Sequence, residues 1–209
     1  MFVMSFEPKK LVKQIVRLQR DAVVRWHQGE PDNPHADFLG AVCQQHQYNY
    51  LLWHEEDIAR SPDVTDARIA MVKRAIDGYN QQRNDWIERL DEQLIDMLAD
   101  SGARPAPNAR LNTETPGSAI DRLSIMALRI YHFQEQLERE DADAQHLDRV
   151  RQRLERCRAQ HVDLAQSLVE LLADLAAGRK MLKVYRQMKM YNDPTLNPYL
   201  YRRNPRQVA

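Results

Sequence analysis

The sequence predicts an all-α protein: an antiparallel helical bundle of about five long helices, followed by a short sixth helix and an extended C-terminal tail. Two observations indicate this class. Only 6 of the 209 residues are glycine, against 43% hydrophobic and 29% charged residues, whereas β-rich folds use glycine heavily in their turns. Apolar residues also recur at steps of three and four along the chain, which is the spacing of an amphipathic helix.

The first three helices follow from this spacing. The first is predicted over residues 8–27 and the second over 35–60, where a Ser-Pro step favours a helix end. A long third helix is predicted over 66–100, with Asp63 or Thr65 as its N-cap.

The fourth and fifth helices have the clearest signals. Thr115 is a suitable N-cap, and Pro116 suits the first position of a fourth helix that extends to about Glu140. The fifth helix has an apolar seam with alternating steps of three and four, and Gly178 can end it. The seam consists of Leu147, Val150, Leu154, Cys157, His161, Leu164, Leu168, Leu171 and Leu175. A seam of this length is typical of an antiparallel bundle.

The chain after Gly178 differs from the body in charge. This last part holds eight basic residues and one acidic residue, so 22 basic and 29 acidic residues precede it. We predict a short helix over 180–190 and then an extended tail, because three prolines follow. The sequence thus predicts a bundle at 1–177 and a basic, tyrosine-rich helix and tail at 178–209 that packs on the bundle. Binding of an anionic partner is the alternative role for this positive charge.

No segment predicts secretion or membrane insertion. The N-terminus lacks a basic region followed by a long apolar run, and no stretch approaches about 18 consecutive apolar residues. Cys43 and Cys157 lie in apolar helical patterns, which is typical of free thiols in a reducing compartment. We therefore expect a cytoplasmic protein with no transmembrane segment.

Metal-binding and catalytic motifs are weak or missing. The sequence has no Gly-rich phosphate loop, no G-x-S-x-G and no H-E-x-x-H. Cys43 with His46, and Cys157 with His161, are spaced as zinc ligands on one helical face could be. Cys43, however, falls away from the buried arc of its helix, and core packing explains the other pair. We expect neither a metal nor a cofactor.

Polar residues fall on the buried arcs of the second and third helices when residues are placed at 100° steps. Arg83 lies in the middle of the buried arc of the third helix, with Asn80 near its edge. Gln45, Asn49 and Glu56 lie within the buried arc of the second. Because an unpaired buried guanidinium is costly, we expect Arg83 to pair with Glu56. These residues form either a closed ion-pair network or a polar pocket between helices.

The predicted fourth helix has a polar side opposite its apolar face. Asp121, Arg122, Arg129, His132 and Gln136 lie there, interleaved with two aliphatic residues. If this side meets the polar arcs of the second and third helices, the resulting pocket suits phosphate or carboxylate groups. Free backbone N–H groups at the start of this helix would add to anion binding. A solvated charged face is the alternative.

Four blocks occur in order along the chain: NYLLWHEEDIAR (49–60), KRAIDGYNQQRNDWIERLD (73–91), LNTETPGSAIDRLSIMALRIYH (111–132) and KVYRQMKMYNDPTLNPYLY (183–201). Together they resemble an uncharacterised bacterial family labelled domain of unknown function 4254, over about residues 45–201. The resemblance implies a setting in envelope-glycan synthesis, since such families tend to be encoded beside glycosyltransferase and lipopolysaccharide genes. It implies no activity and no catalytic residues. The matching motif positions are Asn49, Trp53, Glu56, Asp57, Arg60, Arg74, Asp77, Asn80, Arg83, Asn84, Asp85, Glu114, Pro116, Gly117, Asp121, Arg122 and His132.

The sequence therefore leads to one functional hypothesis and one alternative. The hypothesis is a cytoplasmic protein of lipopolysaccharide-type glycan synthesis that binds an anionic phosphorylated-sugar or nucleotide-sugar-like metabolite in a polar inter-helix pocket, with or without catalysis. The predicted ligand-binding residues are Asn49, Trp53, Arg60, Asn80, Arg83, Asn84, Asp121 and Arg122, and the acid–base candidates are Glu56, Asp57 and His132. The alternative is a non-catalytic scaffold that docks a glycosyltransferase or self-associates through the fifth helix or the tail. Nucleic-acid binding is not expected, because the basic residues of the tail are dispersed.

Overall fold

The computed structural model describes residues 6–201, and for Tyr191 the backbone alone. Within this range the fold is all-α, as the sequence predicts. The five long helices are α1 (Pro8–Trp26), α2 (Asp37–Arg60), α3 (Asp66–Asp100), α4 (Pro116–Leu137) and α5 (Ala144–Ala176). The short elements are β1 (Arg110–Leu111), β2 (Lys180–Met181), a 3-10 turn at Met190–Asn192 and α6 (Pro198–Tyr201).

Three of the helices, α3, α4 and α5, begin at side-chain caps, and Asp143 caps α5 by accepting a hydrogen bond from the backbone N–H of His146. Thr65 Oγ1 accepts a hydrogen bond from the backbone N–H of Arg68 at 3.3 Å. Thr115 Oγ1 accepts one from the N–H of Ser118 at 3.1 Å, with proline at the first helical position. A side-chain acceptor satisfies one of the N–H groups that the first turn of a helix leaves without a partner. The predicted N-cap Thr115 is therefore confirmed, and Thr65 rather than Asp63 caps α3.

Helix α4 is the central element, since it packs against each of the other four long helices. The α2–α3 hairpin is antiparallel: Tyr48 meets Tyr79, while Leu52 clusters with Val72 and Ile76 nearer the start of α3. Helices α4 and α5 also contact each other extensively across a short connection. This arrangement places side chains of α2, α3 and α4 around one shared interior, where the polar residues predicted to be buried can meet.

The main core is formed by apolar faces of all five long helices. Its fully buried large side chains include Ile15, Trp26, Leu90, Leu94, Ile120, Leu123, Leu128, Leu168 and Leu172. Complete burial of each such side chain contributes about 1.5–3 kcal/mol. The seam predicted for the fifth helix supplies Val150, Leu154, Cys157, Leu168, Leu171 and Leu175 to buried positions. The core is therefore sufficient to fix the helices that carry the polar residues.

The prediction of a helix over residues 180–190 is wrong. Lys180 and Met181 instead pair in parallel with β1, and the chain then runs without regular secondary structure to Lys189. Gly178 determines this path: its φ is +70°, its carbonyl accepts a hydrogen bond from Ala106, and a Cβ there would lie 2.3 Å from the carbonyl oxygen of Arg104. Only glycine adopts this conformation and fits this approach at low cost. The short sixth helix forms later, as α6.

The segment after β2 lies along α3. Arg186 pairs with Glu88 at 2.9 Å and also with Glu92. The backbone N–H of Gln187 donates to Glu88 at 3.0 Å, and its side chain donates to Asn84 at 3.1 Å. The positive charge of Arg186 thus faces two acidic residues of α3.

Among the helices of the described residues, none combines the length and the apolar character needed to cross a bilayer.

Candidate functional site

Asp121 of α4 is the centre of a buried polar cluster. Its Oδ1 accepts hydrogen bonds from Gln45 Nε2 at 2.6 Å, Asn49 Nδ2 at 2.9 Å and Arg83 Nε at 2.7 Å, and its Oδ2 accepts from the Arg83 NH2 group at 2.6 Å. The carboxylate raises the pKa of Arg83 above its ordinary value, because its hydrogen bonds stabilise the charged guanidinium. The pair is bidentate and joins α3 to α4, with α2 supplying the amides.

His46 and Ser124 continue this cluster towards α1. His46 Nε2 lies 3.0 Å from the backbone oxygen of Gln19, so this nitrogen carries the proton and donates. Its Nδ1 then accepts from Ser124 Oγ at 2.6 Å, and Ser124 Oγ accepts from Asn49 Nδ2 at 2.8 Å. Burial lowers the pKa of His46 to about 3, so the ring is neutral at physiological pH.

We call this cluster the polar network; it consists of Gln19, Gln45, His46, Asn49, Arg83, Asp121 and Ser124. The Gln19 side chain joins it to α4 by donating to the backbone oxygen of Ile120 at 3.1 Å. Two amide oxygens, Gln19 Oε1 and Gln45 Oε1, have no partner within residues 6–201. The other polar groups of the network form hydrogen bonds with one another across the interfaces between α1, α2, α3 and α4.

The prediction that Arg83 pairs with Glu56 is wrong. Arg83 pairs with Asp121, whereas Glu56 pairs with Arg60 one turn further along α2. The register of the antiparallel α2–α3 hairpin explains the difference. Leu52 packs against Val72 and Ile76, so the residues of α2 that follow it lie beside the start of α3, well away from Arg83. Helical periodicity shows which residues face inwards but not which residues lie opposite each other.

The predicted polar side of α4 divides into two surfaces. Asp121 and His132 face α2, whereas Arg122 and Arg129 line a groove of about 790 Å³ between α4 and α5. Arg122 pairs there with Glu114 at 3.2 Å. The groove also contains the acidic side chains of Asp163, Glu170 and Asp174. Arg122 therefore lies on a different surface from Arg83, and the expected single stripe does not form.

The N-terminus of α4 already holds a carboxylate of this chain. Asp91 of α3 accepts a hydrogen bond from the Gly117 N–H at 2.7 Å. A Cβ on Gly117 would lie 2.6 Å from the Ile87 carbonyl oxygen and 2.9 Å from Asp91, so glycine permits this close contact. Burial raises the pKa of Asp91 to about 6, despite the opposing hydrogen bonds from Thr115 and Gly117. The expected anion site at this helix start is thus filled by Asp91, which the sequence did not single out.

The remaining predicted site residues lie around the polar network or beyond it. Asn80 Oδ1 accepts from the Arg83 NH1 group at 3.4 Å, and Asn84 contacts the segment after β2. Trp53 stacks on His132 with ring centroids 4.7 Å apart and an angle of 8° between the planes. Asp57 is exposed near the end of α2, close in sequence to the Glu56–Arg60 pair. The structure therefore brings Asn49, Arg83 and Asp121 together, with Asn80 beside Arg83, and it pairs Trp53 with His132 further along α2 and α4. The other predicted residues, Glu56, Asp57, Arg60, Asn84 and Arg122, lie outside both groups.

The cysteines of the two cysteine–histidine pairs are both free and buried. Cys43 is fully buried, contrary to its predicted position, and burial raises its pKa to about 11. His46, its spacing partner, uses both ring nitrogens in the polar network. Cys157 packs against Met126 in the core, and burial raises its pKa as well. Both thiols are structural.

A group of histidines that sequence spacing did not indicate lies at one end of the α1–α2–α4 interface. We call His27, His54 and His132 the histidine cluster; each offers one ring nitrogen, and these atoms lie within 4.8 Å of one another. Burial lowers the pKa of His54, and the neighbouring His27 and His132 lower it further. His54 and His132 lie on two different helices and His27 immediately follows α1, so no local motif could reveal them.

The fold and the site define an all-α bundle whose interior is joined by buried polar contacts. Residues 39–184 match the family described as "Protein of unknown function (DUF4254)". The chain belongs to this family, as the first three blocks indicate; the fourth block, 183–201, lies almost entirely beyond the matched residues. No curated protein and no solved structure gives a significant match to the chain.

Proposed function

We propose that this protein binds an anionic, phosphate-bearing metabolite, such as a sugar phosphate or nucleotide sugar, at the surface where Arg83 meets the segment after β2. We place it in the cytoplasm and in the synthesis of envelope glycans, on the strength of the family resemblance. The proposal concerns binding; the acid–base candidates Glu56, Asp57 and His132 do not converge on this surface.

The observation that carries the proposal is the way Arg83 is held. Asp121 fixes the Nε and NH2 edge of the guanidinium, and the side chain retains 25% exposure. The NH1 group points towards Asn80, with a long contact of 3.4 Å. An arginine positioned by a buried carboxylate and open on its other edge is suited to bind a phosphate or carboxylate.

A second cation lies beside Arg83. Lys189 Nζ is 3.4 Å from the backbone oxygen of Asn80, and it forms no ion pair with the residues that the structure describes. Asn84 and Gln187 provide amide groups next to it. Two cations on one surface are suited to bind a phosphate group, and the neighbouring amides are suited to hydrogen-bond the hydroxyl groups of a sugar.

Thermal-shift measurements test this proposal. Inorganic phosphate, pyrophosphate, sugar phosphates and nucleotide sugars are each titrated against the purified full-length chain. A ligand at about 100 times its Kd stabilises the native state by about 2.7 kcal/mol, so a specific ligand raises the Tm measurably.

Lys189→Ala is the informative variant, because Arg83→Leu would leave Asp121 buried without its cation. We expect Lys189→Ala to reduce the Tm increase and Lys183→Ala, which changes an exposed lysine of the same segment, to preserve it. The absence of a Tm increase with every anion, or an equal increase in Lys189→Ala, would exclude this surface as the binding site.

A second candidate function, docking to a glycosyltransferase or to a second copy of the chain, is favoured by the apolar surface of residues 185–201. The large exposed side chains of this segment are Tyr185, Met188, Met190, Leu196, Tyr199, Leu200 and Tyr201, with exposures between 41% and 92%. Exposed apolar groups concentrated in one segment are typical of an interaction site.

Light scattering after size exclusion measures self-association directly. If the chain dimerises through this segment, the combined substitution of Met188 and Tyr199 by serine should give a monomer. Met71→Ser, on an exposed position of α3, is the matched control. A dimer that persists in the double variant would point to the face of α5 instead, and a monomeric native chain would exclude self-association at the concentrations used.

A further inference from the structure

The histidine cluster brings three imidazoles together from separate parts of the chain. His27 immediately follows α1, His54 lies in the second half of α2, and His132 lies near the end of α4. The ring centroids are 5.2 Å apart for His27 and His54, 5.1 Å for His27 and His132, and 5.9 Å for His54 and His132. No pair is face-to-face: the ring planes meet at 62° to 77°.

Hydrogen bonds on the outer side fix two of these rings. His27 Nδ1 lies 2.7 Å from the backbone oxygen of Val23, and His132 Nδ1 lies 2.6 Å from Glu135 Oε2. Both partners are acceptors, so each Nδ1 carries the proton, and in the neutral ring Nε2 has a free lone pair. This tautomer follows from the hydrogen-bond partners.

The inner nitrogens have no such partners. Nε2 of His27, His54 and His132 is in each case buried and without a hydrogen bond to any residue in the described range. A buried polar atom without a partner costs about 1–3 kcal/mol. Three such atoms at one point form a ligand set for one ion, since each donates an electron pair when the proton of its ring is on Nδ1.

Aromatic contacts hold the imidazoles in these orientations. Trp53 stacks on His132, and Tyr131 stacks on His27 with centroids 4.1 Å apart. Tyr50 contacts His54 edge-on at 4.4 Å. Such contacts restrict ring rotation, so the donor atoms are largely preorganised.

We propose that His27, His54 and His132 bind one divalent zinc-type metal ion through their Nε2 atoms. Imidazole is a preferred ligand of Zn²⁺, and three protein ligands leave a fourth tetrahedral position for water or for an anionic oxygen. Metal-bound histidines in proteins commonly donate their other ring N–H to a backbone carbonyl or a carboxylate, which orients the ring. The Val23 carbonyl and the Glu135 carboxylate are partners of these two kinds. The proposal is independent of the anion-binding surface beside Lys189, which the experiment below does not involve.

Binding requires a small contraction of the cluster. Zn–N bonds of about 2.0–2.1 Å in a tetrahedral site place the nitrogens roughly 3.3 Å apart. The donor atoms now lie within 4.8 Å of one another. Each ring nitrogen therefore has to move inwards by about an ångström to complete the site.

The test uses the untagged full-length chain, treated with EDTA and then dialysed into metal-free buffer. ZnCl₂ is titrated in competition with a chromophoric chelator of known affinity. We expect one Zn²⁺ per chain with a sub-micromolar Kd. Co²⁺ in place of Zn²⁺ should give the strong visible absorption of a tetrahedral site.

Two pairs of variants locate the ion. His54→Ala should weaken Zn²⁺ binding by more than the ~10–100-fold cost of losing an outer partner, whereas His35→Ala, in the exposed loop before α2, should leave the Kd unchanged. Glu135→Ala should weaken binding about 10-fold or more, with the exposed Glu138→Ala as its control. The Glu135 comparison serves even if His54→Ala does not fold.

The proposal is overturned if the native chain binds no Zn²⁺ in the micromolar range. Binding of equal strength in His54→Ala would also overturn it, because the ion would then occupy another site. A Kd that is the same in Glu135→Ala and Glu138→Ala would remove Glu135 from the proposed arrangement and contradict the assignment of His132 Nε2 as ligand.

Discussion

The polar network and the histidine cluster both lie where α1, α2 and α4 meet, and the polar network also includes Arg83 of α3, but they differ in how their polar atoms are satisfied. In the polar network, the Asp121 carboxylate accepts four hydrogen bonds, and both ring nitrogens of His46 have partners. In the histidine cluster, three buried Nε2 atoms have no partner within the described residues. The first arrangement fixes the relative positions of the helices, and the second leaves donor atoms free to bind.

The comparison shows that burial of polar residues does not by itself indicate a site. The sequence pointed to the polar network, because Arg83 and Asn49 fall on buried arcs, yet there the groups mostly satisfy one another. A closed network of this kind contributes to register and to a unique packing, a role that has been seen for buried polar groups in some proteins. The free donors lie in the histidine cluster, whose convergence no sequence pattern indicated.

The largest expected effect is the destabilisation caused by Asp121→Ala. This change leaves Arg83 without its counter-ion and removes the acceptor of Gln45 and Asn49, so we expect a loss of about 3–5 kcal/mol in the free energy of unfolding. His54→Ala in metal-free buffer should cost only about 1 kcal/mol, since its Nε2 makes no hydrogen bond to the described residues.

Urea denaturation in EDTA measures both values. Asp141→Ala, which breaks an exposed ion pair with Arg139, is the control and should leave the urea midpoint almost unchanged. Equal losses in the free energy of unfolding for Asp121→Ala and His54→Ala would show that the polar atoms of the histidine cluster are as well satisfied as those of the polar network.

Asp91 is intermediate between these two arrangements, and its contribution to stability depends on pH. It has hydrogen bonds but no ion pair with a residue of the described range, and its pKa is about 6 in the folded chain against an ordinary value of 3.8. Because the folded state holds this proton more tightly, the stabilisation is complete below about pH 3.8 and is lost as the pH rises through about 6. The loss amounts to about 2–3 kcal/mol.

Asp91→Asn removes this titration. The difference in unfolding free energy between the native chain and Asp91→Asn should therefore move by about 2–3 kcal/mol in favour of the variant from pH 4 to pH 7.5. Asp96→Asn, at an exposed position on the same helix, should show a constant difference. A pH-independent difference for Asp91→Asn would mean that its carboxyl is ionised throughout this range.

The helices could be predicted from the sequence because their signals are local. The spacing of apolar residues locates each long helix, and Thr115 and Pro116 mark the start of α4 within the same turn. The helix predicted over 180–190 fails for a non-local reason: pairing with β1, whose residues lie about 70 positions earlier, holds Lys180 and Met181 extended. Contacts of this kind have no signature in the segment itself.

The site could be predicted only in part, for the same reason. Periodicity placed Arg83 on the inward side of α3, where the structure shows it half-buried, but the identity of its partner depends on the register between helices. Asp91 is buried because Gly117 lets α4 approach α3 closely, and the sequence shows neither half of that contact. The histidine cluster requires three residues that are 27 and 78 positions apart to converge, which only the folded chain reveals.

The next largest effect is the pH dependence of stability that His46 causes, and its sign is opposite to that of Asp91. Its pKa falls from 6.5 to about 3 on folding, so the folded state resists protonation. The stabilisation is therefore complete above about pH 6.5 and is lost as the pH falls towards 3. Between pH 6.5 and pH 4.5 we expect a loss of about 2 kcal/mol.

His46→Gln eliminates this titration, and urea denaturation in EDTA at several pH values measures it. The variant should lose less stability than the native chain as the pH falls over this range, and His35→Gln should behave as the native chain does. If His46→Gln and the native chain lose stability in parallel, His46 is not held neutral by the polar network.

The smallest effect concerns the segment that follows β2, which borders the polar network near Asn80. Arg186→Ala removes two exposed ion pairs with Glu88 and Glu92, and exposed pairs contribute little to global stability. We expect faster hydrogen exchange of the backbone amides in residues 182–190 with an unchanged urea midpoint. Arg151→Ala, which removes an exposed pair on α5, should leave this exchange unaltered.

The outcome for this variant separates two ways in which the polar network could hold its shape. If Asp121, Gln45 and Asn49 are sufficient to position Arg83, loosening the segment changes exchange only locally, and the pH dependence assigned to His46 stays the same. A fall in the urea midpoint with a changed pH profile would instead make the segment part of the network. Lys189 and Asn80 would then belong to the contacts that hold the polar network together.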